Sequence, residues 1–119
     1  MTAPRLRTII AGGRDITDEA LVRRAIKAAP WKVSEVVSGG ARGVDAIGEA
    51  LARRYGVSVR VFPADWGANG KAAGPMRNAQ MAEYAEALIA VWDGKSRGTA
   101  HMIDTATARG LRVHVERAP

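Results

Sequence analysis

Short apolar runs alternate with amphipathic stretches along this chain, and glycine-rich turns join them. The two strongest turns are Ser38–Asp45 and Asp93–Ala100, which follow the apolar runs Val33–Val37 and Ala87–Trp92. Glycine lets the backbone approach a ligand closely, and the free amides at a helix start attract anions. The pattern therefore predicts strand–turn–helix units whose turns suit a phosphate-bearing, nucleotide-like ligand.

The alternation predicts five strands and four helices. The predicted strands are Leu6–Ala11, Val33–Val37, Val57–Phe62, Ala87–Trp92 and Leu111–Val115. The predicted helices are 18–29, 44–55, 76–84 and 99–109, with Thr17 capping the first and an irregular loop at 63–75. Strands that are apolar on both faces indicate a parallel sheet covered by helices. We therefore expect a three-layer, doubly wound α/β fold with five parallel strands, whose glycine turns share the ligand-binding edge.

Composition sets the class of protein. The chain has 119 residues, 47% hydrophobic and 25% charged, so we expect one soluble domain over residues 1–119. It has no apolar run of membrane-spanning length and no signal-peptide core, so we expect a cytoplasmic protein without a membrane partner. Without cysteine there are no disulfides or thiolate sites, and His101 and His114 lack metal-ligand spacing, so no metal site is predicted.

The charge of the chain is compatible with two kinds of partner. The formal net charge is +6, which favours phosphates, whether on a small molecule or on nucleic acid. The basic residues are scattered rather than gathered in a tail, and aromatic residues make up only 5% of the chain, few for base stacking. A solvated basic surface and a small phosphorylated ligand are therefore favoured over nucleic acid, which stays an alternative.

Two familiar phosphate-binding motifs do not fit. Gly94-Lys95-Ser96 resembles the end of a Walker A loop, but the glycine that the motif requires five residues earlier is Ile89. The turn after the first strand, Gly12–Ile16, does not match the dinucleotide fingerprint. A nucleotide site would therefore have to be built differently.

Four motifs together resemble a known family. They are Ser38–Asp45, Phe62–Trp66, Gly70–Asn78 and Ser96–Ala100, in that order along nearly the whole chain. They are similar to the YspA/YpsA-related branch of the SLOG superfamily, named for the Smf/DprA proteins and the Lonely Guy enzymes. The resemblance implies a Rossmann-like domain that binds nucleotides or their derivatives, and a homo-oligomer formed through helices. The DprA relatives imply nucleic-acid binding as an alternative.

The Lonely Guy relatives imply a second alternative, hydrolysis of a nucleotide N-glycosidic bond. Arg77 matches the arginine of their pattern and is therefore the candidate catalytic residue. Gly98-Thr99 matches the Gly-Thr pair of the same pattern. The glutamate of that pattern is Met102 here, and a thioether cannot act as an acid or a base. Hydrolysis by the same residues is therefore not expected, although His101 or Asp104 could substitute.

The candidate ligand-binding residues lie in the glycine turns, in the long loop and at the helix that follows it. They are Gly13, Arg14, Asp15, Gly39, Gly40, Arg42, Gly43, Asp45, Trp66, Lys71, Arg77, Asn78, Ser96, Gly98 and Thr99. We expect the turn amides to hold phosphate, the basic side chains to neutralise it and Trp66 to cover a base. We expect Asp45 and Asn78 to contact the sugar; no further cofactor is predicted.

Several of these residues also have a purely structural interpretation. The glycines can serve tight turns, and Thr99 can cap the last helix. Arg14 can pair with Asp15 or Asp45, and Trp66 can pack as part of a lid. The sequence leaves these alternatives open.

Overall fold

The structure, a computed structural model, describes residues 3–119. Its strands are β1 (Arg5–Gly12), β2 (Lys32–Ser38), β3 (Ser58–Val61), β4 (Ala87–Trp92) and β5 (Arg112–Arg117). Its helices are α1 (Glu19–Ala28), α2 (Val44–Arg54), α3 (Trp66–Asn69), α4 (Ala73–Tyr84) and α5 (Arg97–Ala108), with a 3₁₀ turn at Gly70–Ala72. No helix in this range combines the length and apolar character needed to cross a membrane.

All five strands are parallel and lie in the order β3-β2-β1-β4-β5. Strands β2 and β3 are added on one side of β1, and strands β4 and β5 are then added on its other side. Strand order therefore reverses between β1 and β4, which is where ligands bind in open α/β sheets. The predicted three-layer, Rossmann-like fold is confirmed.

Neighbouring side chains of the three central strands, β1, β2 and β4, enter two separate cores. Ile10 and Val36 pack in the core beneath α1 and α2, whereas Ile9 and Val37 pack in the core beneath α4 and α5. Ile9 and Ile10 are both fully buried, and each such side chain contributes about 1.5–3 kcal/mol by leaving water. Burial on both faces explains why the strands are continuous apolar runs.

Helix α1 begins one residue later than its predicted cap implies. Asp18, not Thr17, is the N-cap, and its carboxylate accepts a hydrogen bond from the Ala20 amide at 3.0 Å. Asp18 has the extended backbone of a cap, and its negative charge matches the positive end of the helix dipole. The expected cap at Thr17 was therefore wrong.

The predicted irregular loop at 63–75 is partly helical. Asp65 caps the short helix α3 by accepting from the Ala68 amide at 3.0 Å. Helix α4 starts at Ala73, so Gly74 and Pro75 lie in its first turn. Proline is tolerated there because a first-turn amide has no acceptor within its own helix. Only the start of this segment, residues 63–65, is irregular.

Candidate functional site

A cleft of about 840 Å³ opens where β1 and β4 end and strand order reverses. We call it the main cleft. Its walls are the turn after β1, the start of α5, part of α4 and Trp66. Its volume is within the range of about 300–1,000 Å³ that is typical of small-molecule sites. The predicted residues that line it are Gly13, Arg14, Asp15, Asp45, Trp66, Arg77, Asn78, Ser96, Gly98 and Thr99.

A smaller cavity of about 360 Å³ adjoins the main cleft, and we call it the side lobe. It is lined by Gly39, Gly40 and Arg42, and by the start of the segment that leads to α3. Arg14, Ala41, Trp66 and Arg77 line both cavities. Gly43 and Lys71 line neither; Lys71 is exposed on the 3₁₀ turn.

The amides of the turn after β2 are largely used within the protein. The Gly40 amide donates to Ser38 Oγ at 3.1 Å, and the Ala41 amide donates to Asp45 Oδ2 at 3.2 Å. The Val44 amide, at the start of α2, donates to the Gly13 carbonyl at 3.3 Å. Three amides near this turn are therefore already used within the protein, which leaves fewer donors for the expected phosphate cradle.

Gly43 has a structural role in the same turn. Its φ of 75° lies in the left-handed region, which glycine adopts without strain. A Cβ at Gly43 would overlap the Gly13 carbonyl and lie 2.6 Å from the Arg14 backbone. The start of α2 can approach the turn after β1 only because Gly43 has no side chain.

The first turn of α5 is more open than that of α2, where the Val44 amide is already bound to the Gly13 carbonyl. Ser96 is the N-cap but makes no side-chain capping bond, and within residues 3–119 the amides of Arg97, Gly98 and Thr99 have no acceptor. A Cβ at Gly98 would meet empty space. The helix therefore presents three free amides and the positive end of its dipole at the cleft, an arrangement that attracts an anion.

Thr99 is not the cap that the sequence suggested as an alternative. It lies inside the first turn of α5, is buried, and its Oγ1 is 3.2 Å from Ser96 Oγ. The helix begins two positions before the predicted start because Arg97 and Gly98 continue the helical backbone after Ser96.

Asp93 occupies the turn just before α5. Its Oδ1 accepts from the amides of Lys95 and Ser96 at 2.8 Å each. These hydrogen bonds, led by that from Ser96, lower the pKa of Asp93. Two amides that were expected to bind a phosphate are thus already bound to a carboxylate. The free donors are the next three amides, those of Arg97, Gly98 and Thr99.

Arg77 crosses from α4 to the end of β2. Its Nη1 donates to the Gly39 carbonyl at 2.6 Å, and its Nε donates to Asn78 Oδ1 at 3.2 Å. Burial lowers the pKa of Arg77; the Asp45 carboxylate opposes this effect and the charge of Arg14 adds to it. Two guanidinium groups, Arg14 and Arg77, therefore face the boundary between the two cavities.

Asp45 is the buried carboxylate of the main cleft. It is only 6% exposed, and burial raises the pKa of Asp45 despite the opposing Ala41 amide and Arg77 charge. A buried acid beside a half-buried arginine in a cleft is a typical functional arrangement. Asp15, in contrast, is exposed and pairs with Arg42 at 3.2 Å, not with Arg14 as one interpretation of the sequence held.

Asn78 joins α4 to α5 and uses both ends of its amide. Oδ1 accepts from Arg77, while Nδ2 donates to the Gly98 carbonyl at 3.3 Å and approaches His101 Nδ1 at 3.1 Å. Because Nδ2 can only donate, His101 Nδ1 must accept, and the ring hydrogen is on Nε2. Asn78 therefore holds the wall of the cleft in place, and its polar atoms are not free for a sugar.

The position that resembles a catalytic glutamate faces the cleft. Met102 lines the cleft and is 1% exposed, whereas Asp104 lies exposed elsewhere on α5. Asp93, Lys95, Arg97 and His101 also line the cleft although they were not among the predicted binding residues. Their position in and beside the glycine turn was the signal that could have identified them. Residues 3–119 contain no cluster of three or more metal-binding side chains.

Two comparisons place the chain among known proteins. A model of the YspA, cpYpsA-related SLOG family matches residues 6–68. The chain is also similar to the Gene 61 protein of Mycobacterium phage D29, with 33% identity over 117 residues that cover 90% of this chain and 93% of that protein. The match to the family model ends inside α3, so it includes the turns after β1 and β2 but not the start of α5.

Proposed function

Because the chain belongs to the YspA, cpYpsA-related SLOG family, we propose that its main cleft binds a nucleotide or a related phosphorylated small molecule. The observation that carries this proposal is the open first turn of α5, which presents three unpaired amides at a cleft lined by basic side chains. A helix start of this kind is a well-known anion site.

The phosphate group would lie against Arg97, Gly98 and Thr99. The amides there are free, and Gly98 leaves space for close approach. Lys95 and Arg97 line the same part of the cleft and supply positive charge. The Asp93 carboxylate does not compete with the phosphate for these amides, because it already accepts hydrogen bonds from the amides of Lys95 and Ser96.

The nucleoside would lie between this turn and Trp66. The indole is 51% exposed, which is unusual for so large an apolar side chain, and it lines the mouth of the cleft. Its ring edge approaches α4 where Gly74 leaves room, since a Cβ there would lie 3.3 Å from Trp66 Cη2. Stacking of a base on an aromatic ring contributes about 1–3 kcal/mol, so Trp66 is the expected base contact.

Thermal shift and calorimetry test this function with AMP, GMP, CMP, UMP and the corresponding nucleosides. A ligand at 100 times its Kd stabilises the folded state by about 2.7 kcal/mol. We expect at least one nucleotide, but not its nucleoside, to raise the melting temperature. Arg97→Ala and Trp66→Ala should weaken the effect, and Arg109→Ala, which removes a charge at the far end of α5, should not.

Two results would contradict the proposal. One is the absence of a shift with every phosphorylated compound. The other is an equal shift for nucleotide and nucleoside, which would mean that the start of α5 does not bind phosphate. Salt-sensitive binding of a single-stranded oligonucleotide instead would favour the nucleic-acid alternative.

A second candidate function is hydrolysis of the N-glycosidic bond of a nucleotide. It is favoured by one observation: Asp45 supplies a carboxylate with a raised pKa beside Arg77, although the matching glutamate position is Met102. Protonated Asp45 would give its proton to the leaving base while water forms the new bond to the sugar, and the carboxylate would recover a proton from that water.

Release of free base from each nucleoside monophosphate, followed by chromatography, tests this candidate. Wild-type protein should release base and sugar phosphate in equal amounts, and Asp45→Asn should abolish release while nucleotide binding persists. Release that survives in Asp45→Asn, or no release from a nucleotide that binds, would contradict this function and leave the binding proposal intact.

A further inference from the structure

The boundary between the main cleft and the side lobe holds two positive charges close together. Arg14 and Arg77 line both cavities, and their mutual repulsion helps to lower the pKa of Arg77. Arg14 forms no ion pair within residues 3–119. The Asp45 carboxylate opposes the lowering of the Arg77 pKa and offsets part of the charge of Arg77. The two guanidinium groups at the boundary therefore carry more positive charge than Asp45 alone can offset.

The side lobe holds a third arginine, Arg42, which pairs with the exposed Asp15 at 3.2 Å. Arg42 lines it beside the Gly39-Gly40 backbone, and Pro63 and Ala64 form its small, uncharged wall. Its volume of about 360 Å³ equals about a dozen water molecules at about 30 Å³ each. That is more than a phosphate needs, and enough for a phosphate with a compact polar group attached.

We infer that the protein is built for a nucleotide conjugate linked through a diphosphate, with the group beyond the second phosphate in the side lobe. The inference rests on the proposed function, which puts the nucleoside and first phosphate in the main cleft. The second phosphate then lies between Arg14 and Arg77, where planar guanidinium groups can bind its oxygens. The compact group reaches Arg42 and the wall formed by Ala64.

Two features of the boundary favour a diphosphate link over two unrelated ligands. Trp66, Arg14 and Arg77 line both cavities, so the cavities adjoin at these side chains. A chain that passes there meets positive charge, and a diphosphate carries negative charge along its length. A neutral linker would leave the two guanidinium groups repelling each other, at a cost in binding.

Titration calorimetry with matched pairs of probes tests the inference. The pairs are AMP with ADP-ribose, UMP with UDP-glucose, and GMP with GDP-mannose. For at least one pair, we expect the conjugate to bind wild-type protein at least tenfold more tightly than the monophosphate. Arg42→Ala removes the charge of the side lobe, and Ala64→Phe fills its volume; each should remove most of this gain while affinity for the monophosphate changes less than twofold.

Arg109→Ala is the control, because it removes one positive charge far from both cavities. Circular dichroism melts establish that each variant folds. If Ala64→Phe fails to fold, Arg42→Ala decides the question, since the Arg42 side chain is 75% exposed and its removal leaves the cores intact.

The outcomes separate this inference from the proposed function. Equal binding of conjugate and monophosphate in every pair would overturn the inference but leave nucleotide binding in place. A tenfold gain that survives in both variants would also overturn it, because the attached group would then lie outside the side lobe. If no phosphorylated probe binds wild-type protein, the proposed function itself fails.

Discussion

Arg77 Nη1 donates to the Gly39 carbonyl at 2.6 Å and so joins α4 to the end of β2 across 38 positions of the chain. Gly39 makes this contact possible, because a Cβ there would overlap the guanidinium group and lie 3.0 Å from Asp45 Oδ2. One glycine thus determines where the half-buried Arg77 and the buried Asp45 can lie in the cleft.

Gly98→Ala should raise stability and weaken ligand binding together. Alanine suits a helix better than glycine by about 0.5–1 kcal/mol, and a Cβ at Gly98 meets nothing within the protein. The same methyl group would intrude on a phosphate held by the first turn of α5. Urea unfolding and nucleotide titration measure the two effects.

Gly67→Ala is the matched control for that change, because Gly67 is also helical but does not line either cavity. It should leave affinity unchanged. A Gly98→Ala protein that binds as well as wild type would show that no ligand approaches this turn closely.

Gly43→Ala should destabilise the protein far more than Gly56→Ala. Both glycines have a positive φ, 75° and 71°, so both substitutions cost about 1–2 kcal/mol of backbone strain. At Gly56 nothing lies within 4 Å, whereas at Gly43 the new Cβ would overlap the backbone of Gly13 and Arg14. We expect Gly43→Ala to cost at least about 1 kcal/mol more in chemical unfolding; equal losses would mean that the contact between α2 and the turn after β1 relaxes freely.

Asp93→Ala should lower the melting temperature by a few degrees near neutral pH, because it leaves the amides of Lys95 and Ser96 without their acceptor. The pKa of Asp93 is lowered in the folded state, so its contribution is present above the ordinary value of 3.8 and is lost as pH falls through the folded-state pKa. The difference from wild type should therefore shrink in acid. Asp104→Ala, which removes an exposed acid on α5, should not lower the melting temperature in this way.

Asp45→Asn should change how stability depends on pH. Burial raises the pKa of Asp45, so the folded state holds its proton more tightly, and wild-type stability declines as pH rises from 3.8 through the folded-state pKa. Asparagine keeps an oxygen for the Ala41 amide but cannot ionise. Urea unfolding from about pH 4 to about pH 8 should show the decline in wild type and a flatter curve in the variant. Parallel curves would mean that Asp45 ionises in the folded protein as easily as in the unfolded chain.

Local pattern was sufficient to predict the strands and the edge of the sheet that holds the cleft. Val36 and Val37 at the end of β2 and all of Ala87–Val91 in β4 are buried, so these strands could be assigned without knowledge of distant residues. The predicted starts of helices were less accurate where two adjacent residues could each serve as the N-cap. Thr17 and Asp18 can both cap a helix, and only the backbone conformation decides between them.

Which polar groups of the site are free could not be predicted from the sequence. After β2 the amides of Gly40 and Ala41 are bound by Ser38 and Asp45, and after β4 the amides of Lys95 and Ser96 are bound by Asp93, whereas those in the first turn of α5 stay open. The role of Asn78 depends on how α4 and α5 align, since its partners Gly98 and His101 lie on the other helix. Such pairings are tertiary, and glycine spacing carries no information about them.

The exposure of Trp66 gives the protein an optical reporter of its own cleft. Trp31 is 5% exposed in the core beneath α1 and α2 and donates to Thr8 Oγ1, so its fluorescence reports on folding. Trp66 is 51% exposed at the rim of both cavities, so its emission responds to whatever displaces water there. Trp92, half-buried at the end of β4, is the third tryptophan, and with Trp92→Phe the occupancy of the cleft and the integrity of the fold can be followed in one sample by intrinsic emission, with no attached dye.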